Sequence, residues 1–89
     1  GIAGMLSDEI KGKLSARIKQ GLDQLGQKDF QIEVRQIGSR TYRVDILFKK
    51  DAMFFLKSEK TTLRDISQII RELEKAHKIA IEKEIKPIH

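Results

Sequence analysis

The apolar positions in the first third of the chain recur with a helical period. Leu6, Ile10, Leu14, Ile18, Leu22 and Leu25 fall on one arc at about 100° per residue and predict an amphipathic helix. Ser7 is the expected N-cap, with Asp8 and Glu9 where the helix dipole favours negative charge, and Gly26 is the expected stop. Gly21 falls within the apolar arc. A glycine there costs a helix about 1 kcal/mol relative to alanine but admits a neighbouring element closely. Gly12 falls on the polar side, where the pattern gives it no role.

From Phe30 the period changes to two. Phe30, Ile32 and Val34 alternate with Gln31, Glu33 and Arg35; after Gly38-Ser39, Tyr42, Val44, Ile46 and Phe48 alternate with Thr41, Arg43, Asp45 and Leu47. Two alternating runs around a turn predict a hairpin. Directly opposed residues share a face, so the loop must be Ile37–Ser39 or Gly38–Arg40. The first sets Glu33 opposite Arg43, whereas the second opposes Arg35 to Arg43 and Glu33 to Asp45. Like charges in direct opposition are unfavourable, which selects Ile37–Ser39. A tight Lys50-Asp51 turn would then lead into a third strand, Ala52–Lys57, with Met53 and Phe55 inward and Phe54 and Leu56 outward beside Leu47.

Thr62-Leu63-Arg64-Asp65 has the spacing of a capping box and opens a second helix, expected to reach about Glu84. Its apolar arc holds Leu63, Ile66, Ile69, Ile70, Leu73, Ala76 and Ala80. Three strands with one apolar face and two amphipathic helices predict a single α+β domain. It is a two-layer α-β-β-β-α sandwich, a three-stranded antiparallel meander with both helices on one face. Residues 1–6 and 85–89 are expected to be flexible ends, with Met5 a candidate natural start.

Composition narrows the chemistry. The 89 residues contain no Cys, which removes disulfides, thiolate nucleophiles and Cys-built zinc sites. His77 lies within the second helix's apolar arc and reads as a structural histidine; His89 is terminal, and the two make no metal set. No Ser stands in a G-x-S-x-G context and no glycine-rich nucleotide loop occurs. The expected protein is therefore not an enzyme and takes no cofactor, metal or small-molecule substrate. No apolar run approaches the roughly 20 residues that span a bilayer, and the N-terminus lacks a signal-peptide pattern. A membrane partner is not expected, and the address expected is intracellular, cytoplasmic or nuclear.

The net charge of +5 suggests a polyanionic partner. Residues 28–64 hold nine Lys and Arg against five Asp and Glu, while residues 65–89 cancel. On the predicted sheet, Arg35, Arg43 and Lys49 point to the outer face. Arg40 and Lys50 lie at the turns, and Lys57, Lys60 and Arg64 flank the passage into the last helix. These eight cations are the candidate nucleic-acid contacts, with phosphate neutralisation as the source of affinity. Phe54 could stack on an unpaired base. Leu47, Phe54 and Leu56 form the second candidate surface, an apolar patch fit for a homodimer or another protein partner.

The α-β-β-β-α order resembles that of double-stranded-RNA-binding domains and of the small Alu-domain proteins of the signal recognition particle. The first resemblance implies a lysine cluster at the start of the second helix, where Lys60 and Arg64 stand around Thr61-Thr62-Leu63. The second implies a basic sheet face and pairing with another such domain. The resulting expectation is a non-enzymatic module binding RNA or single-stranded DNA, RNA favoured, through its outer sheet face, and dimeric. The alternative is a protein-interaction module, or a small accessory or inhibitor protein of a nucleic-acid enzyme, using the apolar patch.

Overall fold

The apolar arc of the first 25 residues forms one long helix, α1 (Ile2–Gln24), in a computed structural model that describes the backbone of residues 2–88 and the side chains of residues 7–88. Leu14, Ile18 and Leu22 are fully buried along it. The helix starts before the predicted cap, so Ser7 lies inside it and its hydroxyl donates to Gln36 Oε1 at 2.6 Å. The Leu6 side chain and His89 lie outside the described residues. Gly26 ends the helix as expected, at φ 78°. Gln27 N–H donates to the Leu22 carbonyl and Gly26 N–H to that of Asp23, the paired bonds of a left-handed helix stop.

The hairpin forms as β1 (Phe30–Gln36) and β2 (Thr41–Phe48), but in the register the charge argument rejected. Val34 pairs with Val44, Glu33 with Asp45 and Arg35 with Arg43, around a Gly38–Arg40 loop. The reason lies on the far side of β2. A third strand, β3 (Ala80–Pro87), pairs there in parallel, setting Glu82 beside Arg43 and Glu84 beside Asp45. Arg43 then ion-pairs with both Asp45 and Glu84, and Lys86 Nζ stands 3.8 Å from Asp45. Like charges across the hairpin are compensated by a neighbour that the two-strand argument did not contain.

That third strand is not the one predicted. Residues 52–57 lie instead in a helix, α2 (Lys50–Ser58), and the sheet is mixed, in the order β1-β2-β3. The run Ala52-Met53-Phe54-Phe55-Leu56 is apolar throughout, so it fits a helix as well as a strand. As a helix it turns Ala52, Met53 and Leu56 into one arc, and Leu56 is fully buried in the core. One residue, Glu59, separates α2 from α3 (Lys60–His77). The predicted capping box is not used: α3 starts two residues ahead of Thr62, without a side-chain cap.

The last helix stops at His77 rather than Glu84. Lys78 takes the left-handed conformation (φ 54°, ψ 51°), and its N–H and that of Ile79 donate to the Glu74 carbonyl. Beyond it Ile79, Ile81, Lys83 and Ile85 alternate with Ala80, Glu82, Glu84 and Lys86, and the segment pairs as β3. Residues 85–88, expected to be a flexible tail, are tied down by this strand and by a bond from Ile88 N–H to the Phe48 carbonyl.

The chain is thus an α+β domain of order α-β-β-α-α-β, and the topological resemblance to α-β-β-β-α families does not hold. Parallel strands need a crossover connection, which α2 and α3 supply between β2 and β3. One core joins Tyr42, Val44, Ile46 and Phe48 of β2 to Leu14, Ile18 and Leu22 of α1, Leu56 of α2, and Ile66, Ile70 and Leu73 of α3. Among the described residues, no helix is long and apolar enough to cross a membrane.

Candidate nucleic-acid interface

The eight expected cations divide between two surfaces. Arg35 and Arg43 stand on the outer sheet face, and Arg40 is exposed in the hairpin loop. Lys49, expected on that face, lies past the end of β2 and ion-pairs with Asp29 at 3.6 Å. With β3 in place, the outer face carries Glu33, Asp45, Glu82 and Glu84 against Arg35, Arg43 and Lys86. It is not a cationic surface, because the strand that completes it turns out two carboxylates, Glu82 and Glu84, against one ammonium, Lys86.

Lys50, Lys57, Lys60 and Arg64 are carried instead by the two crossover helices. At 100° per residue, Lys50, Phe54 and Lys57 (i, i+4, i+7) fall within about 60° of one another on α2. Phe54 is 77% exposed and Phe55 53%, so an aromatic ring stands between two lysines on the solvent side. The expected Leu47–Phe54–Leu56 patch does not exist: Leu47 is half-buried on the outer sheet face, Phe54 projects from α2, and Leu56 points into the core.

On α3 the same geometry collects Lys60, Arg64, Arg71 and Lys75 within about 60°. All four are exposed, and none has a carboxylate oxygen within 4.0 Å among the described residues. The acidic residues of α3 are turned elsewhere. Glu72 reaches Arg17 of α1 at 3.3 Å, and Glu74 Oε2 accepts the Ile81 backbone N–H at 2.9 Å. Lys60 with Arg64, and Arg71 with Lys75, are like charges at i, i+4, a spacing that costs an isolated helix about 0.2–0.5 kcal/mol per pair. A face selected for helix stability alone would alternate its signs.

Lys83 extends this stripe from β3. It occupies the inner face of the edge strand, half-buried, where its ammonium donates to Ser67 Oγ and has no carboxylate partner among the described residues. Burial, and then the nearby Arg71 guanidinium, pull its pKa below the ordinary lysine value of 10.5. Both causes oppose a charge that a bound anion would favour. Arg71, Lys75 and Lys83 were not singled out in the sequence, because residues 65–89 sum to zero charge. A helical wheel over Lys60–His77 contains the signal: cations on one arc, carboxylates off it.

Among the described residues, no three His, Cys, Asp or Glu side chains could share a metal ion. No protein-family model, curated protein or solved structure matches the chain.

Proposed function

We propose that this domain binds single-stranded nucleic acid, RNA before DNA, as a non-enzymatic module, through the solvent faces of α2 and α3 rather than the outer sheet face. The observation that carries the reading is the uncompensated stripe of Lys60, Arg64, Arg71 and Lys75, with Lys83 beside it. Cations on one arc, spaced along about four turns of helix, match the repeated negative charge of a phosphate backbone. Lys50, Phe54 and Lys57 add what an unpaired strand offers besides charge. The ring of Phe54, a residue 77% exposed, can stack on a base while the flanking lysines hold the adjoining phosphates. Lys57 and Lys60, three positions apart across Glu59, join the two stripes.

The test is a fluorescence-anisotropy titration with labelled single- and double-stranded RNA and DNA, at low and at physiological salt. Saturable binding to the single strands at physiological salt, with a log–log salt slope of about −0.7 per phosphate contact, is the expected result. Flat curves for all four ligands would overturn it. A second reading rests on Phe54 and Phe55 together: two exposed rings on one short helix also suit a protein partner. That reading gains ground if nucleic acid fails to bind while Phe54→Asp, folded as wild type, abolishes capture of a protein from its native source.

A further inference from the structure

The free edge of β1 carries an unmet charge pattern of its own. Ile37 N–H donates to the Thr41 carbonyl at 2.9 Å. By the alternation of an antiparallel ladder, the odd-numbered residues of β1 therefore direct their N–H and C=O groups at β2. Phe30, Ile32, Val34 and Gln36 turn theirs away from it. No backbone hydrogen bond outside the ladder reaches those four residues among the described ones. The edge has neither a proline nor a bulge to blunt it.

On the outer face of this edge, Glu33 is opposed by Asp45 and Arg35 by Arg43. Asp45 and Arg43 are satisfied by each other and by β3, but Glu33 and Arg35 have no ion-pair partner among the described residues. Each faces its own sign within the monomer. We infer that β1 pairs with β1 of a second copy of this chain, antiparallel about a two-fold axis through Val34, making a continuous six-stranded sheet.

Three features agree on that register. Pairing Val34 with Val34 of the second copy aligns the outward backbone groups into about six inter-chain hydrogen bonds. It sets Glu33 opposite the second copy's Arg35, and Arg35 opposite its Glu33, so both residues gain the counter-charge β2 denies them. Centring the axis on Glu33 would instead oppose the two Glu33 residues. There is also room: an open groove of about 700 Å³ runs between α1 and β1, lined by Gly12, Ser15, Ala16, Lys19, Phe30 and Ile32. A Cβ on Gly12 would meet nothing within 4 Å, so this side of α1, beside the edge of β1, is open.

The dimer also gives the α3–β3 faces a fixed relation. With β1 at the centre, the two β3 strands are the outer edges, five inter-strand spacings or about 24 Å apart. The pairing itself does not depend on what those faces bind.

Sedimentation velocity on the wild type should show a dimer at micromolar concentration. Glu33→Arg alone and Arg35→Glu alone should each sediment as monomers, since each sets like charges across the axis. Neither should unfold, because each replaces a like-charge opposition with β2 by an opposite one. An equimolar mixture of the two variants should recover the dimer. A wild type that stays monomeric at hundreds of micromolar, or single variants that dimerise as well as wild type, would overturn the proposal. So would a mixture that fails to recover from two folded variants.

Discussion

α1 packs against Ile69 of α3 at Gly21, and replacing this glycine tests how tightly the two helices pack. A Cβ built there overlaps Ile69 Cδ1 outright and stands 3.4 Å from Ile69 Cγ1 and 3.2 Å from Arg17 Nη1. Carbon atoms without a bond prefer about 3.5–4.0 Å. Gly21→Ala therefore sets two effects against each other: a helix-propensity gain of about 1 kcal/mol and an overpacking cost of about 1–3 kcal/mol. The β-branch holds Ile69 at χ1, but Cδ1 ends the side chain and can turn about χ2, so the overlap relaxes in part and a net loss of about 0–2 kcal/mol is expected. Ile69→Val removes the overlapping methyl and alone should cost about 0.5–1.5 kcal/mol. In that background Gly21→Ala should stabilise by about 0.5–1 kcal/mol, because the Cδ1 overlap is gone and the propensity gain outweighs the remaining 3.2 Å approach to Arg17 Nη1. The double-mutant cycle, read from urea unfolding at constant m-value, should give a coupling of about 0.5–3 kcal/mol, where independent sites would add within a few tenths. An additive cycle, with Gly21→Ala stabilising the wild type by about 1 kcal/mol, would refute the close packing of α1 on α3.

Lys78 holds a left-handed conformation that costs a residue with a side chain about 1 kcal/mol. Lys78→Gly should raise the melting temperature by about 4–8 °C in a domain of this size, measured by circular dichroism; a fall would mean that its side chain does more than end the helix. Lys83 makes a prediction of opposite signs. Its folded pKa is lowered by burial and by Arg71, so protonation there opposes folding. The penalty is fully present at neutral pH and is relieved as pH rises through the folded value towards 10.5. Lys83→Met should therefore stabilise the free protein at pH 7 and lessen its gain in stability on raising the pH to 10. The same change should weaken RNA binding and flatten its salt slope by about 0.7, one phosphate contact.

The elements most plainly written in the chain were those whose pattern admitted one period. Leu14, Ile18, Leu22 and Gly26 define α1 and its end, and the alternation of Tyr42, Val44, Ile46 and Phe48 defines β2 and its buried face. Residues 52–56 were not legible in the same way, because five successive apolar residues carry no period. Their helical identity is decided by Leu56 reaching a core that other segments complete. The register of the hairpin failed for a related reason. Local charge opposition was a sound term, but Glu82 and Glu84 outweighed it from about 40 residues further along the chain. β3 itself was obscured by Lys78, a helix stop without glycine, and by Glu and Lys residues that suit a helix. The candidate interface was half legible: Lys50, Lys57, Lys60 and Arg64 stood out by local charge excess. Arg71, Lys75 and Lys83 did not, since a linear charge count cancels what the fold separates onto different faces.

The cationic face is placed on α3 rather than on the sheet, and a matched pair of neutralisations distinguishes the two. Arg64→Gln with Arg71→Gln, and Arg35→Gln with Arg43→Gln, remove the same two guanidinium charges, one pair from α3 and the other from the outer sheet face. Affinity for a single-stranded RNA octamer, short enough for one site, would be measured across a salt series with both proteins verified as folded. The α3 pair should lose at least about tenfold, with the salt slope reduced by about 1.4 for two lost phosphate contacts, and the sheet pair should change little. Equal losses, or a larger loss from the sheet pair, would contradict that placement.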